Sequence, residues 1–230
     1  MPAVATRRIE TGIVLENITW QTYERLLREV GERPIRLTYD HGDLEIMTLS
    51  HGHEKKKRIL GRCVDFLTFE LNIPMASGGS NTLRWKLKKR GLEPDECYWF
   101  KHEKAMRGKD EFEPNVDPSP DLALEIDVTS SCMDRMAIYA ALGILEVWRY
   151  YRRRLRVYRL TEEKKYEESE ESAVFPFLHV HELERFIHRA EKEDETTVMH
   201  EYVAWLRAEV VPAFEKWKAK GNGRRKTKGD

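Results

Sequence analysis

Hydrophobic residues occupy every second position from 122 to 128, and acidic residues occupy most of the positions between them, in the segment 120–131 with the sequence PDLALEIDVTSS. Because successive side chains of a β-strand point to opposite faces, the alternation predicts a strand with one apolar face. The residues of that apolar face are Leu122, Leu124, Ile126 and Val128. The opposite face carries Ala123 and the carboxylates of Asp121, Glu125 and Asp127. Carboxylates two residues apart lie roughly 6.6 Å from each other and repel by about 2.5 kcal/mol, so this face either contacts water or surrounds a cation.

Apolar residues recur at helical spacing on both sides of this segment. The spacing predicts a helix that starts after the capping residue Thr19 and ends near Val30, and a second over about 53–71. Alternating residues at 36–39 and 44–47 predict a hairpin between these helices, and a short aromatic strand is expected at 97–100. We interpret the polar residues 101–118 as a loop.

The segment that follows the acidic strand predicts a crossover unit. A helix is expected over about 133–142, and then two strands, 145–151 and 155–160, joined by the basic turn at 152–154. Strand, helix and strand in this order predict a locally parallel pair. After Thr161 the chain is dense in charge, and helices are expected at 182–189 and 195–210. The last residues, after Glu215, are rich in lysine and arginine.

Composition excludes some classes of protein. Charged residues make up 35% of the chain with 40 of each sign, so the net charge argues neither for nor against nucleic acid. The hydrophobic content of 40% and six tryptophans indicate a folded protein. The three cysteines form no CxxC pair, no apolar signal segment opens the chain, and no apolar run is long enough to span a membrane. We therefore expect a soluble, cytoplasmic protein with reduced thiols.

A second acidic residue stands in a context similar to that of Asp121. Asp95 follows Pro94 just before an apolar strand, as Asp121 follows Pro120. If these strands are neighbours, Asp95 approaches Glu125, and such oxygen ligands suit Mg²⁺ or Mn²⁺. A solvated acidic strand face explains the same spacing equally well. The His-x-His pairs at 51–53 and 179–181 lack partners at the spacing that zinc sites use, which favours surface or packing histidines.

Several motifs together resemble a known family. They are HE at 53–54, GGSNTLRW at 78–85, GLEPDECYWF at 91–100, PDLALEIDVTSS at 120–131 and DRMAIYAALGILEVWRY at 134–150. In this order they resemble the Uma-type (Uma two) family, a branch of the PD-(D/E)xK nuclease superfamily, over roughly residues 19–160. The resemblance implies an α/β fold of the restriction-endonuclease-like type, with a central mixed β-sheet flanked by helices and a helical C-terminal extension.

The resemblance also implies site residues. The first acidic residue of the superfamily falls on Asp95, and that of (D/E)xK falls on Glu125, with Asp121 on the same strand face. By similarity these three would hold Mg²⁺ (or Mn²⁺) and orient a water for in-line attack on a phosphodiester. Glu54 matches an acidic residue that many such nucleases supply from their first core helix.

The chain departs from the family pattern at one position. The lysine of (D/E)xK should lie at position 127, where this chain has Asp127. In relatives the lysine can instead lie in a D-K-x-x-x-Y pattern on the following helix, which reads Asp134-Arg135-Met136-Ala137-Ile138-Tyr139 here. Arg135 could stabilise charge on a phosphate, but a guanidinium stays protonated and cannot act as a base.

The predicted function is therefore Mg²⁺-dependent hydrolysis of DNA phosphodiester bonds, with nucleic acid as the partner and a homodimer as a further expectation. The alternative is a catalytically inactive module that keeps the fold and binds nucleic acid or associates with itself. Basic clusters at 55–58 and 86–90 suit either phosphate contacts or a solvated surface. We predict a nuclease-like domain over 1–160, a helical extension packed on it over 161–215, and a disordered basic tail over 216–230.

Overall fold

The computed structural model describes residues 6–9, 12–31, 33–110, 112–113, 116–127 and 133–226. The strands in these ranges are β1 (Thr6–Ile9), β2 (Gly12–Leu15), β3 (Ile35–Asp40), β4 (Asp43–Thr48), β5 (Ala76–Ser77), β6 (Leu83–Trp85), β7 (Arg90–Leu92), β8 (Glu96–Trp99), β9 (Leu122–Asp127), β10 (Glu146–Tyr151), β11 (Arg154–Leu160) and β12 (Tyr166–Ser169). The helices are α1 (Trp20–Val30), α2 (His51–Leu71), α3 (Glu103–Met106), α4 (Arg135–Leu142), α5 (Leu183–Arg189), α6 (Glu195–Trp205) and α7 (Val211–Lys226). A π-helical turn, Leu206–Val210, joins the last two helices.

The strands form two sheets, and the second of them is the mixed sheet that we expected. The first has the order β1-β2-β4-β3-β7-β6 and is antiparallel throughout its described strands. It contains the predicted hairpin, and α1 packs on it with Tyr23 stacked on Tyr39 at 4.9 Å between ring centres. The Thr19 hydroxyl accepts a hydrogen bond from the Thr22 N–H, which confirms the predicted start of α1.

The second sheet has the order β12-β11-β10-β9-β8-β5 and is mixed. Strands β9 and β10 are parallel and α4 connects them, so the predicted crossover unit is confirmed. The other pairs in this sheet are antiparallel. The α/β class, with a mixed sheet flanked by helices and with helices at the C-terminal end, is as predicted.

Strand β9 is buried on both faces. Its apolar side chains Leu122, Leu124 and Ile126 pack in a core with α2 and the C-terminal helices, whereas Ala123 packs against α4. The acidic residues of the second face are at most 8% exposed, which rules out a solvated acidic strand face. Val128, expected on the apolar face, lies outside the described residues.

The C-terminal region shares its core with the rest of the chain. The Tyr202 hydroxyl on α6 donates a hydrogen bond to the Cys63 carbonyl on α2 at 2.8 Å. Two features differ from the prediction: the charge-dense segment contains the edge strand β12, and α7 continues through residues 216–226, which we expected in a disordered tail. Trp217 accounts for part of this continuation, because its ring stacks on Phe214 and contacts Phe177 at 5.7 Å.

Two further predictions concern membranes and cysteines. Within the described ranges, no helix combines the length and the apolar character that crossing a membrane requires. Cys63 and Cys97 are buried free thiols, and Cys132 lies outside the described residues.

Candidate active site

A cavity of about 150 Å³ lies between the two sheets and the N-terminal end of α2. The first sheet contributes residues from β3 and β4, and the second contributes the last residues of β9. Its polar lining consists of Arg36, Thr48, Ser50, His53, Asp95, Glu125, Asp127 and Arg135. Two of the three predicted metal ligands, Asp95 and Glu125, therefore face one cavity that arginines border.

Asp95 is held by groups from three parts of the chain. It precedes β8, which pairs antiparallel with β9, and its carboxylate accepts a hydrogen bond from the Ile126 N–H at 2.7 Å. His53 Nε2 lies 3.1 Å from the same carboxylate, and an Arg36 guanidinium nitrogen lies 3.8 Å away. Burial alone would raise the pKa of Asp95, but the bond to His53, the Ile126 N–H and the charge of Arg36 lower it. Asp95 is therefore a carboxylate in the folded protein.

His53 connects Asp95 to Glu54. It lies in the first turn of α2, where the Ser50 hydroxyl caps the helix by accepting a hydrogen bond from the His53 N–H. The ring contacts Asp95 through Nε2 and Glu54 through Nδ1, the latter at 3.2 Å. Burial lowers the pKa of His53, but the two carboxylates outweigh burial and the pKa is raised. The two carboxylates thus stabilise the imidazolium form of His53, which offsets part of the site's negative charge whenever the ring is protonated.

Replacing His53 should change the pH dependence of stability. Because the pKa of His53 is raised in the folded protein, the stabilisation that His53 contributes is complete below the unfolded value of 6.5. This stabilisation is lost as the pH rises through the folded pKa. The lowered pKa of Asp95 has the opposite pH dependence. The stabilisation that Asp95 contributes is present above the unfolded value of 3.8 and is lost at lower pH. In EDTA, the stability advantage of wild type over His53→Gln should therefore shrink as the pH rises above the unfolded value of 6.5.

Urea unfolding at several pH values measures this advantage. The control is His200→Gln, which removes an exposed histidine from α6 and should track wild type at every pH. An advantage of wild type over His53→Gln that stays constant across these pH values would contradict the prediction.

Glu125 binds the arginine and tyrosine of the Asp134-to-Tyr139 motif. Asp134 caps α4 by accepting a hydrogen bond from the Ala137 N–H, and residues 135 and 139 then lie one helical turn apart on the same side. Arg135 Nε lies 2.7 Å from one Glu125 oxygen, and Arg135 Nη2 and the Tyr139 hydroxyl donate to the other. Burial raises the pKa of Glu125 to about 7, with Arg135 opposing and the neighbouring carboxylates Asp95 and Asp127 adding to the rise. Arg135 thus favours the charged form of Glu125 and offsets part of the effect of burial.

Asp127, at the position of the missing lysine, has its own arginine. Arg149 on β10 donates to the Asp127 carboxylate through Nε at 2.7 Å, and its Nη2 lies 2.5 Å away. The parallel register places Arg149 beside Glu125 and Tyr151 beside Asp127, so the Arg149 side chain leans along the strand to reach its partner. A buried acidic side chain is tolerated here because a neighbouring strand supplies the compensating charge.

Asp121 is separate from this group, contrary to our assignment of it as a ligand that shares a metal with Asp95 and Glu125. Its carboxylate accepts hydrogen bonds from the N–H groups of Phe100 and Lys101 at 2.7 and 2.9 Å, and it does not line the cavity. Four residues along a strand span roughly 13 Å, too far for Asp121 and Glu125 to bind one ion. Asp121 instead fixes the chain after β8.

Glu54 lies at the margin of the site. Its side chain is 46% exposed, contacts His53 and lies 3.8 Å from Lys57, but it does not line the cavity. It acts on the site through His53. Lys56, from the basic cluster that opens α2, is 3.3 Å from Glu191, so part of that cluster is paired within the protein.

The chemistry of the donors suits a hard cation that takes few protein ligands. The described residues contain no group of three or more His, Cys, Asp or Glu side chains placed to hold a metal ion. Neither His-x-His pair therefore belongs to such a group. Mg²⁺ commonly takes only one or two carboxylates and completes its shell with water and phosphate oxygens. Asp95 and Glu125 fit that role, and a cation bound there would share Glu125 with Arg135.

Three site residues were missed in the sequence: Arg36, His53 as a partner of Asp95, and Arg149. Arg36 and Arg149 occupy alternate positions in strands of otherwise recognisable pattern, and nothing local marks them as site residues. The signal for Arg149 was its register, because a parallel crossover from β9 to β10 places it on the carboxylate face. The signal for His53 was its place beside Glu54 at the start of α2.

The chain is similar to a known family in sequence and to a solved structure in fold. The profile of one family, Uma2, described as "Putative restriction endonuclease", matches residues 20–191, well over half of the chain. None of the curated proteins matches the sequence. Among solved structures, the chain is similar to "a putative nuclease belonging to DUF820 from Anabaena variabilis", with 13% identity, a TM-score of 0.46, and coverage of 66% of this chain and 90% of that one.

Proposed function

The chain belongs to the Uma2 family, and from that premise we propose that it is a nuclease that hydrolyses DNA phosphodiester bonds with Mg²⁺ or Mn²⁺ held by Asp95 and Glu125. The observation that supports the proposal most directly is that these two carboxylates, distant in sequence, face one cavity beside Arg36 and Arg135. An acidic pair for a cation and arginines for a phosphate are the parts that phosphoryl chemistry needs.

The side chains around the cavity have distinct roles in this proposal. A divalent cation bound there would neutralise charge on the phosphate and lower the pKa of a water. The Ile126 N–H and His53 fix the Asp95 carboxylate in one orientation. Arg135 remains charged at all relevant pH and can stabilise the negative charge that develops on the phosphate. Asp127 is paired with Arg149, which offsets its charge beside Glu125.

A cleavage assay tests the proposal. Supercoiled plasmid is incubated with Mg²⁺ or Mn²⁺ and with wild type, Asp95→Asn or the matched control Asp121→Asn. The control keeps an oxygen that can accept from the N–H groups of Phe100 and Lys101, so the fold should be retained. We expect cleavage by wild type and the control but not by Asp95→Asn, and a metal-induced rise in melting temperature with the same pattern. Equal cleavage by wild type and Asp95→Asn would overturn the proposal, and loss of cleavage in a folded Asp121→Asn protein would contradict our placement of Asp121 outside the site.

Replacing Arg135 by lysine should increase cleavage by about 100-fold. The change restores the D-K-x-x-x-Y pattern of relatives, and a buried lysine can lose its proton and serve as a base, which an arginine cannot. Lysine also leaves one Glu125 oxygen freer for a cation, since it makes no two-pronged contact. Initial rates at saturating metal measure the effect, with Arg149→Lys as a control for the same exchange at the neighbouring pair. A rate at or below that of wild type would contradict this prediction.

A second candidate, nucleic-acid binding without cleavage, is favoured by one observation. Both oxygens of Glu125 are bound by Arg135 and Tyr139, and three arginines face the three buried carboxylates of the site. This candidate predicts salt-dependent DNA binding that is unchanged by EDTA, no cleavage under any metal, and no metal-induced rise in melting temperature.

A further inference from the structure

The turn between β10 and β11 has a backbone that its sequence does not favour. Tyr151 pairs with Arg154, so the hairpin loop consists of two residues, Arg152 and Arg153. Both have positive φ, +49° and +64°. Two-residue loops of this conformation usually contain Asn-Gly, because a larger side chain at positive φ costs about 1 kcal/mol or more. The conformation of the turn therefore gives no reason for two arginines here.

The turn lies at the edge of the sheet where the candidate active site is found. Strands β9 and β10 are parallel, and Tyr151 is opposite Asp127, so the loop starts one residue beyond the level of Asp127. Arg149 and Tyr151 also share the sheet face of Glu125 and Asp127, as the alternation along the parallel pair requires. The turn therefore lies directly next to the acidic residues at the end of β9.

Arg149, Tyr151 and Arg152 form a stack on this edge. The guanidinium carbons of Arg149 and Arg152 lie 5.2 and 5.1 Å from the centre of the Tyr151 ring. An arginine held against an aromatic ring keeps its planar fork oriented, and this geometry matches phosphate oxygens. We call these three residues the arginine–tyrosine stack.

Arg152 differs from the neighbouring arginines, each of which forms an ion pair with a carboxylate. Arg149 pairs with Asp127, Arg153 with Glu191 at 2.7 Å, and Arg154 with Glu184 at 3.3 Å. Arg152 is exposed and forms no ion pair with any residue that the structure describes. The Arg152 guanidinium is oriented by the Tyr151 ring, is exposed to solvent and lies next to the acidic site. It is therefore suited to bind an anionic ligand that extends across that site.

We propose that the arginine–tyrosine stack binds the phosphate backbone of a nucleic-acid strand next to the phosphate that enters the cavity, with Arg152 making the main contact. The inference rests on the proposed function for the path of the strand, but the contact itself needs neither metal nor cleavage. It assigns no base specificity, since a guanidinium on phosphate reads charge rather than sequence.

Binding to a fluorescent 20-base-pair DNA duplex in EDTA, titrated with salt, tests the inference. The proteins are wild type, Arg152→Gln, and Arg28→Gln, which removes the same charge from an exposed position on α1. Arg152→Gln should bind about tenfold more weakly at low salt, for several unrelated sequences alike, and should lower the slope of log K against log salt by about 1. Arg28→Gln should bind as wild type does.

The outcomes separate this inference from the nuclease proposal. Equal losses in Arg152→Gln and Arg28→Gln, unchanged binding by Arg152→Gln, or no binding by wild type would each overturn it. If wild type cleaves plasmid while Arg152→Gln binds normally, the nuclease proposal stands and this inference fails. If no protein cleaves but the binding pattern is as expected, this inference stands and the nuclease proposal fails.

Discussion

Arg135→Ala should lower the free energy of unfolding by about 3–5 kcal/mol, the largest effect that we expect from a single change at the site. Arg135 donates to the Thr38 hydroxyl at 2.7 Å and to the Glu93 carbonyl at 3.0 Å, besides its contact with Glu125. Its removal leaves Glu125 buried beside other carboxylates without a compensating charge. The loss should be smaller at low pH, because a protonated Glu125 no longer needs the arginine.

A double variant distinguishes a lost charge pair from lost packing. Glu125→Gln combined with Arg135→Met removes both charges and should recover most of the stability, since replacing both partners of a buried pair is far less costly than replacing one. Arg154→Ala, which breaks an exposed pair with Glu184, is the control and should cost about 1 kcal/mol or less. Urea unfolding of the four proteins gives the comparison. A loss in Arg135→Ala no greater than that in Arg154→Ala would contradict our account of the site.

Glu146→Ala should lower the free energy of unfolding by about 3–4 kcal/mol. Glu146 is fully buried in β10, and its carboxylate accepts hydrogen bonds from Trp148 Nε1 and the Ser172 hydroxyl, both at 2.6 Å. It also accepts from the N–H groups of Ala173 and Val174, at 2.5 and 3.4 Å. The alanine variant leaves the buried donors of Trp148 and Ser172 without an acceptor, and each such donor costs about 1–3 kcal/mol.

This second prediction also tests how the C-terminal region is joined to the core. Because residues 172–174 donate to a strand of the second sheet, we propose that the segment 161–215 folds together with residues 1–160. Unfolding of Glu146→Ala should then remain a single transition that tryptophan fluorescence and circular dichroism report at the same urea concentration. The control is Glu167→Ala, an exposed glutamate of β12, which should match wild type. Two separate transitions in the wild-type protein would show that the two segments fold independently.

The sequence was sufficient for the local features. Helical spacing and capping residues located α1 and α4, and period-two alternation separated the two faces of β9, because both signals depend on residues within a few positions of each other. The motif of Arg135 and Tyr139 could also be interpreted locally, since residues four apart on a helix reach the same neighbour. The proximity of Asp95 and Glu125 was predicted from two similar motifs, and in the structure β8 pairs with β9 and both side chains line one cavity.

The tertiary structure decided which partner each carboxylate has. Three carboxylates on one strand face looked equivalent in the sequence, but their partners come from different places: backbone N–H groups after β8 for Asp121, α4 for Glu125, and β10 for Asp127. These partners depend on strand register and on the path of the chain between elements, which no local pattern encodes. The sequence therefore determined that acidic residues line one face of β9. Only the fold determined that Glu125 and Asp95 face the cavity and that Asp121 does not. The physical reason is that a strand rises about 3.3 Å with each residue, so side chains on one face reach different surroundings.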